Sequence, residues 1–420
     1  MRISPAGFAA LLLAATLGRP AVAQDLRGAE LRLNQNAAAA LYSVDVAALP
    51  NGDFVTVWFA RPSLAEKPVE IRARRFFADG RAKGGETRVA RLPQGSSFYG
   101  RSLQVAADAA GRFFVVWGAP ATTSRLAQVF GQRFDAAGRP TGPRLRFAAS
   151  THGEVTPDVA MAPDGRAVVV WQSFTDRFDN EGFRLADVYF RRLRPDGTFA
   201  GPPVLAVSEG EISRVAMRAD GSFGLATEIY NGEASFYDIY LSLYAADGGT
   251  LREPFEITSG LNETAAQYDP AIAAAADGRM FVAWTDRAAD TDVPGSDGFY
   301  DPVGVAGQLI AADGTLLGEN LAINTFKKGV QDMASVVATP NGGFLVAWET
   351  GAGQDGDGYG IFARHFAADG RRLGGEIRIN LARQGNQTAA PALALAGNGQ
   401  GVAAWSGAGI LARRLAPPER

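Results

Sequence analysis

The sequence predicts an all-β chain, a seven-bladed β-propeller of four-stranded antiparallel blades whose ring is closed by the N-terminal strand. Three observations predict it. All six tryptophans of the 420 residues stand six positions after a glycine. Most of those glycines follow an Asp or Asn between two apolar runs. The last copy of the pattern also ends one strand short, while a matching strand stands near the other end of the chain.

Residues 1–23 read as a signal peptide. Arg2 supplies a basic start, 8–17 is a short apolar run, and Ala21-Val22-Ala23 is a small-x-small cleavage signal before Gln24. That run is too short to cross a bilayer, and no later stretch approaches the ~20 apolar residues a spanning helix takes. With no cysteine, neither a lipid-anchored thiol nor a disulfide framework is expected. The expectation is a secreted or periplasmic protein without membrane insertion, and a monomer. Loss of Arg2 and Arg19 with this segment takes the net charge from −3 to −5. That mildly acidic balance argues against nucleic acid as a partner. Two histidines and no cysteine argue against zinc.

The remaining length suggests two or three domains, but a repeat overrides that prior, and residues 24–420 read as one domain. The glycine–tryptophan pairs are Gly52/Trp58, Gly111/Trp117, Gly165/Trp171, Gly278/Trp284, Gly342/Trp348 and Gly399/Trp405. A seventh copy has Gly221 and, in the tryptophan's place, Thr227. The mean spacing is about 58 residues, room for four strands and their loops. Six residues before each glycine stands an aliphatic: Val46, Val105, Val159, Val215, Ile272, Val336 and Leu393. Asn-Gly or Asp-Gly between apolar runs is a strong hairpin signal, because glycine takes the positive φ that other residues adopt only at a cost. A third strand follows, starting at Ile71, Val129, Val188, Ile239, Val305, Ile361 and Ile410. A second turn such as Asp369-Gly370 then leads to a fourth strand. Four antiparallel strands per unit, repeated radially, make a propeller. Alanine-rich first strands suit the crowded axis, and the tryptophan on the second strand suits the wider space between blades.

The seventh copy has no fourth strand after Leu415. Gly28-Ala29-Glu30-Leu31-Arg32-Leu33-Asn34 reads like Gly374-Gly375-Glu376-Ile377-Arg378-Ile379-Asn380. The strand 28–34 is therefore expected to complete the last blade and remove an exposed edge. Phe344-Leu345-Val346-Ala347-Trp348, the run Gln354-Asp355-Gly356-Asp357-Gly358-Tyr359-Gly360-Ile361, and Gly374 to Asn380 together resemble the propeller-type repeats of secreted and surface-attached bacterial proteins. The resemblance covers nearly all of 24–420 and implies fold and export, with no particular activity.

Chain direction sorts the loops. Tight glycine turns fall on one face, and long, unlike loops after the second and fourth strands fall on the other, where binding normally resides. On that face Asp45, Asp158, Arg214 and Asp269 are expected to rim the channel as ligand-binding candidates. His152 lies on a variable loop near Glu154 and Asp158 and joins them. In the fourth copy Glu228, Tyr230, Asn231 and Tyr237 follow Thr227, and aromatics beside acids and amides suit sugars. Drift in one repeat explains the same residues. Carboxylates on glycine-rich loops suit calcium, which takes six to eight oxygens. Asp290, Asp292 and Asp297 on one loop, with Asp355 and Asp357 on another, are the candidates, against a reading of both loops as tight turns. Gly351 to Gly356 matches a dinucleotide fingerprint but precedes a strand, where the phosphate-binding helix is missing. His365 falls where other copies carry Arg75, Arg133, Arg192 or Arg414, an ordinary strand position. No nucleophile motif is present.

These observations favour a non-enzymatic binding or scaffold protein of the cell envelope, recognising a protein or glycan through the unlike loops. Two alternatives stand beside it. One is a propeller hydrolase or lyase acting on polysaccharide with a carboxylate pair, Asp158 and Asp269. The other is a calcium-stabilised ring.

Overall fold

The computed structural model describes residues 25–35, 40–61, 68–92, 101–120, 127–148, 152–178, 182, 184–232, 236–258, 265–287, 304–351 and 353–416. The expected signal segment, 1–23, lies outside them, as do Asp290, Asp292 and Asp297. Among the described residues the strands form seven four-stranded sheets, with no helix. The inner strands, in blade order, are Ala40–Ala48, Leu103–Ala107, Glu154–Met161, Gly210–Met217, Gln267–Ala274, Gln331–Ala338 and Thr388–Leu395. Each lies against the inner strand of the next blade, and the seventh lies against the first, so the ring is closed.

Every hairpin from inner to second strand uses its glycine in the left-handed region, from φ 77° at Gly111 to φ 93° at Gly165. The residues before it keep negative φ. In the first hairpin the Gly52 N–H bonds to Leu49 O and the Leu49 N–H to Asp53 O. This is a three-residue turn with glycine at the bulge, rather than the two-residue turn that Asn-Gly most often signals.

Seven apolar clusters fill the seven gaps between blades. Each tryptophan is fully buried in the gap on the side of the preceding blade: Trp117 between blades 1 and 2, Trp171 between 2 and 3, Trp58 between 7 and 1. The gap between blades 3 and 4 has no tryptophan because Thr227 stands there. Phe190 packs there against Phe223 and Tyr244, with ring centroids 4.9 to 5.2 Å apart, whereas the counterparts of the latter two in blade 6, Phe344 and Phe366, share their gap with Trp348. Thr227 itself is buried and shares a 2.6 Å hydrogen bond with Ser213 Oγ. The departure in this repeat is thus compensated from neighbouring positions.

Strand Asp25–Arg32 pairs antiparallel with Gly409–Ala416 and completes blade 7. It starts three residues earlier than its sequence match, and Leu33 and Asn34 extend the pairing: Leu33 N–H donates to Ile410 O, and Asn34 Oδ1 accepts from the Ile410 N–H at 2.9 Å. Gly28 and Gly374 are both left-handed, φ 73° and 75°, so the matched segments share a bulge. The shared Glu and Asn also have a structural office. Glu30 accepts backbone N–H groups of Leu381 and Ala382, just past the outer strand of blade 6, and Glu376 does the same for Thr325 and Phe326 past blade 5. Asn324 and Asn380 accept the first amide of the third strand, from Val305 and Ile361, and donate to Gln331 and Gln387 ahead of the next inner strand.

The face carrying the tight turns is cross-linked from blade to blade. Arg75, Arg133 and Arg192 on third strands reach the carbonyls of Ala136, Pro195 and Ala246 in the next blade's second turn, at 2.7 to 3.1 Å. His365 occupies that strand position in blade 6 and is buried. The opposite face holds the cavity.

Candidate functional site at the channel mouth

The site grows from a repeated irregularity in the inner strands. Three residues before the repeat's aliphatic, Ser43, Thr156, Asp269, Met333 and Ala390 all have positive φ, from 24° to 54°. The pairing with the second strand slips at each of these places. Non-glycine residues rarely adopt this conformation, and it persists where the surroundings over-determine it. Two such supports are visible. Glu228, one residue after the tryptophan position of blade 4, accepts the Asp269 N–H, and Thr285, its equivalent in blade 5, accepts the Met333 N–H at 3.3 Å. A bulge re-aims the side chains beside it. Here the residues one before the aliphatic line the channel in all seven blades, joined from four before it by Arg101 and Asp332.

The channel mouth is a funnel of about 770 Å³, within the range of small-molecule sites. Asp45, Arg61, Arg101, Asp158, Arg214, Asp332 and Glu349 supply its charged lining, and Val105, Val215, Ile272, Val336 and Leu393 much of its apolar wall. Asp45 Oδ2 accepts the Val105 N–H at 2.7 Å, tying blade 1 to blade 2. Asp158 accepts Val215 N–H and Val159 N–H, both at 2.8 Å, tying blade 3 to blade 4. Burial raises the Asp45 carboxyl to about 7 against the pull of its amide partners. Burial raises Asp158 as well, opposed chiefly by Arg214. Asp332 is raised to about 6 by burial and by neighbouring Asp269, and its Oδ1 is sealed from solvent with no hydrogen-bond partner.

Arg101 escaped the sequence reading. Its Nη2 donates to Ala334 O at 2.7 Å, from blade 2 to blade 6, and burial with the nearby Arg214 charge lowers it to about 10. A columnwise reading would have found it. Four residues before the aliphatic the blades carry Tyr42, Arg101, Val155, Glu211, Tyr268, Asp332 and Ala389, a column as rich in charge as the one that holds Asp45, Asp158 and Arg214.

The other expected residues fall elsewhere. Asp269 is not among the funnel's lining residues; it sits beside Glu228, whose carboxyl is pushed well up by burial and by the Asp269 charge. Asp158 and Asp269 are thus engaged by different partners. Tyr230 stacks edge-on with Tyr237 at 5.5 Å, Tyr237 meets Tyr268 at 5.8 Å, and the Tyr237 hydroxyl donates to Glu211 at 3.0 Å. The guanidinium of Arg287 lies 5.4 Å over Tyr268. These half-buried rings form one cluster at the junction of blades 4 and 5. His152 is half-buried ahead of the third inner strand and does not line the funnel.

Asp355 and Asp357 brace their own loop. Asp355 is buried and accepts from Asn380 Nδ2 at 2.6 Å, whereas exposed Asp357 accepts the Gly385 N–H at 3.1 Å. Among the described residues no group of three or more acids or histidines is placed to hold a metal ion.

No protein-family model matches the chain, and no curated protein matches it significantly. Solved structures match its fold. A protein of unknown function from Dyadobacter fermentans aligns over 93% of this chain and 98% of its own, at 10% identity and TM-score 0.52. The α-L-arabinofuranosidase Arb93A of Fusarium graminearum, in complex with an iminosugar inhibitor, gives the same coverages and identity at TM-score 0.51. The polysaccharide lyase Uly1 aligns over 89% of this chain and 90% of its own, at 8% identity and TM-score 0.53. At these identities the likeness is one of fold.

Proposed function

We propose that this protein is a polysaccharide-processing enzyme of the hydrolase or lyase kind, with its substrate seated in the central funnel and Asp332 as the proton-transferring carboxyl. The observation that carries the reading is Asp332 itself, a funnel-lining acid with one unpartnered oxygen, raised to about 6. A group that must hold a proton and release it near neutrality needs a value displaced in this direction. Asp45, raised to about 7, is a second carboxyl of the same cavity displaced in this direction. The tyrosine cluster of blades 4 and 5 offers ring faces on which sugars stack. Support also comes from the fold, which the arabinofuranosidase and the polysaccharide lyase share. Export, as residues 1–23 predict, brings the protein to such polymers.

The test is incubation with a panel of neutral and acidic polysaccharides, following new reducing ends and the ultraviolet absorbance of unsaturated products. Asp332→Asn is expected to lower turnover by about 100-fold or more while leaving the circular dichroism unchanged. Turnover that survives in Asp332→Asn, or no product from any polymer, overturns the reading.

Recognition without turnover is the second reading, and one observation favours it. Asp45 and Asp158 are both held by backbone amides of the next blade, which stiffens the ring and occupies their oxygens. Retention of a glycan or an envelope protein with no product formed selects that reading.

A further inference from the structure

We propose that Arg101 and Arg214 form a carboxylate-recognition pair, and that the ligand of the funnel is an acidic saccharide held through its carboxylate. The inference rests on the polysaccharide reading above and adds the charge class of the substrate.

Two buried or half-buried guanidiniums from blades 2 and 4 enter one cavity, whose lining also includes the exposed Arg61 of blade 1. They are close enough that the charge of Arg214 weakens Arg101's hold on its proton. Such a pair is ordinarily neutralised by touching carboxylates, and acids do surround it. Yet among the described residues no ion pair joins either arginine to an acid. Of those acids, Asp45 is engaged with the Val105 amide and Asp158 with those of Val159 and Val215, while Asp269 and Asp332 act on Arg101 through charge without an ion pair. The arginines' own contacts are backbone carbonyls, Ala334 O for Arg101 and Ser213 O at 3.1 Å for Arg214.

Each guanidinium keeps a buried Nε–H with no acceptor, although Arg214 is only 6% exposed. Buried donors are normally satisfied, and a guanidinium presents its donors as a planar fork matched to the two oxygens of a carboxylate. Arg364 and Arg413 also leave Nε unpartnered, but neither lines the funnel, and Arg364 has Glu376 at 3.5 Å. Among the described residues only the channel pair combines unpartnered donors, like charge and open space. An anionic group of the ligand completes that arrangement; a sugar hydroxyl matches neither its charge nor its fork.

Calorimetry on the whole protein tests this with a glucuronate-containing oligosaccharide, its carboxyl-reduced counterpart and a sulfated neutral oligosaccharide. The uronate chain is expected to bind about tenfold or more tightly than the reduced one. Arg214→Gln and Arg101→Gln should each remove that preference, and Arg214→Lys should keep part of it, since charge survives without the fork. Thermal melts identify the folded variants, with Arg214→Lys as the gentlest change. Equal affinity for uronate and reduced chains, preference for the sulfated chain, or an uronate preference that survives in folded Arg214→Lys and Arg214→Gln overturns the proposal. Asp332-dependent cleavage confined to neutral chains overturns it while leaving the enzyme reading in place. Arg214-dependent uronate binding without cleavage of any polymer supports it and removes the enzyme reading instead.

Discussion

Arg101 of blade 2 donates to the carbonyl oxygen of Ala334 in blade 6, so one side chain joins two blades that share no interface. The same guanidinium acts on the raised acids of the funnel, lowering Asp45 and Asp332 among them. Arg101→Gln should therefore raise both carboxyls further. Carboxyl carbon chemical shifts followed through a pH titration check this, and unmoved midpoints in the folded variant count against it.

Asp45 makes stability depend on pH in a definite direction. Its folded value, about 7, lies above the ordinary Asp value of about 3.9, so between those values the folded state holds more proton than the unfolded state. Stability from this group falls as pH rises through that window and is level above it. Asp45→Asn keeps an acceptor for the Val105 N–H and removes the charge. The variant should gain on the wild type in melting temperature at pH 8 relative to pH 4, and a constant difference across pH would refute the assignment.

Glu228 supports the left-handed Asp269 through its amide and repels its carboxylate. Glu228→Gln keeps the acceptor and loses the repulsion, so it should be neutral or stabilising at pH 7. Glu228→Ala orphans a buried N–H and should cost about 1–3 kcal/mol. Urea unfolding of the two variants separates them.

The gaps between blades differ in what they tolerate. Trp171→Ala empties a filled gap and is expected to cost about 3–5 kcal/mol. Thr227→Trp restores the repeat's consensus, yet should destabilise by about 1–3 kcal/mol because Thr227 is fully buried and Phe190 of blade 3 already packs into that gap. A stabilised Thr227→Trp protein would mean that the gap is underfilled.

Deleting 25–34 removes the outer strand of blade 7 and the Glu30 clasp on Leu381 and Ala382. The shortened protein should melt lower and associate through the bare edge. Size-exclusion chromatography and a thermal melt decide; a monomer with unchanged melting temperature would show that the strand contributes nothing.

The ring was legible because its determinants are local and repeated. Glycine fixes a turn, and six positions later a tryptophan points into the gap, whatever the rest of the blade does. The N-terminal strand was legible because Gly28, Glu30 and Asn34 repeat residues whose bonds recur at Gly374, Glu376 and Asn380. The site was less so. Asp45, Asp158 and Arg214 could be placed at the mouth from their column, but Arg101 acts through a partner 233 residues away. Asp355 looked like a cation ligand because its neighbours are glycines, whereas its partner is Asn380, an amide just past the outer strand of the same blade. Such pairings depend on which columns face one another across a ring or within a blade, which spacing along one chain does not carry.

Pairing Asp25–Arg32 with Gly409–Ala416 also sets an order of events. The first strand of the ring must wait, without a sheet to join, until nearly four hundred further residues have followed it. Six blades can assemble from consecutive chain, but the seventh needs both extremities at once. Closure of the ring thus waits on residues 409–416, and a product that stops before them leaves strand Asp25–Arg32 without its partner.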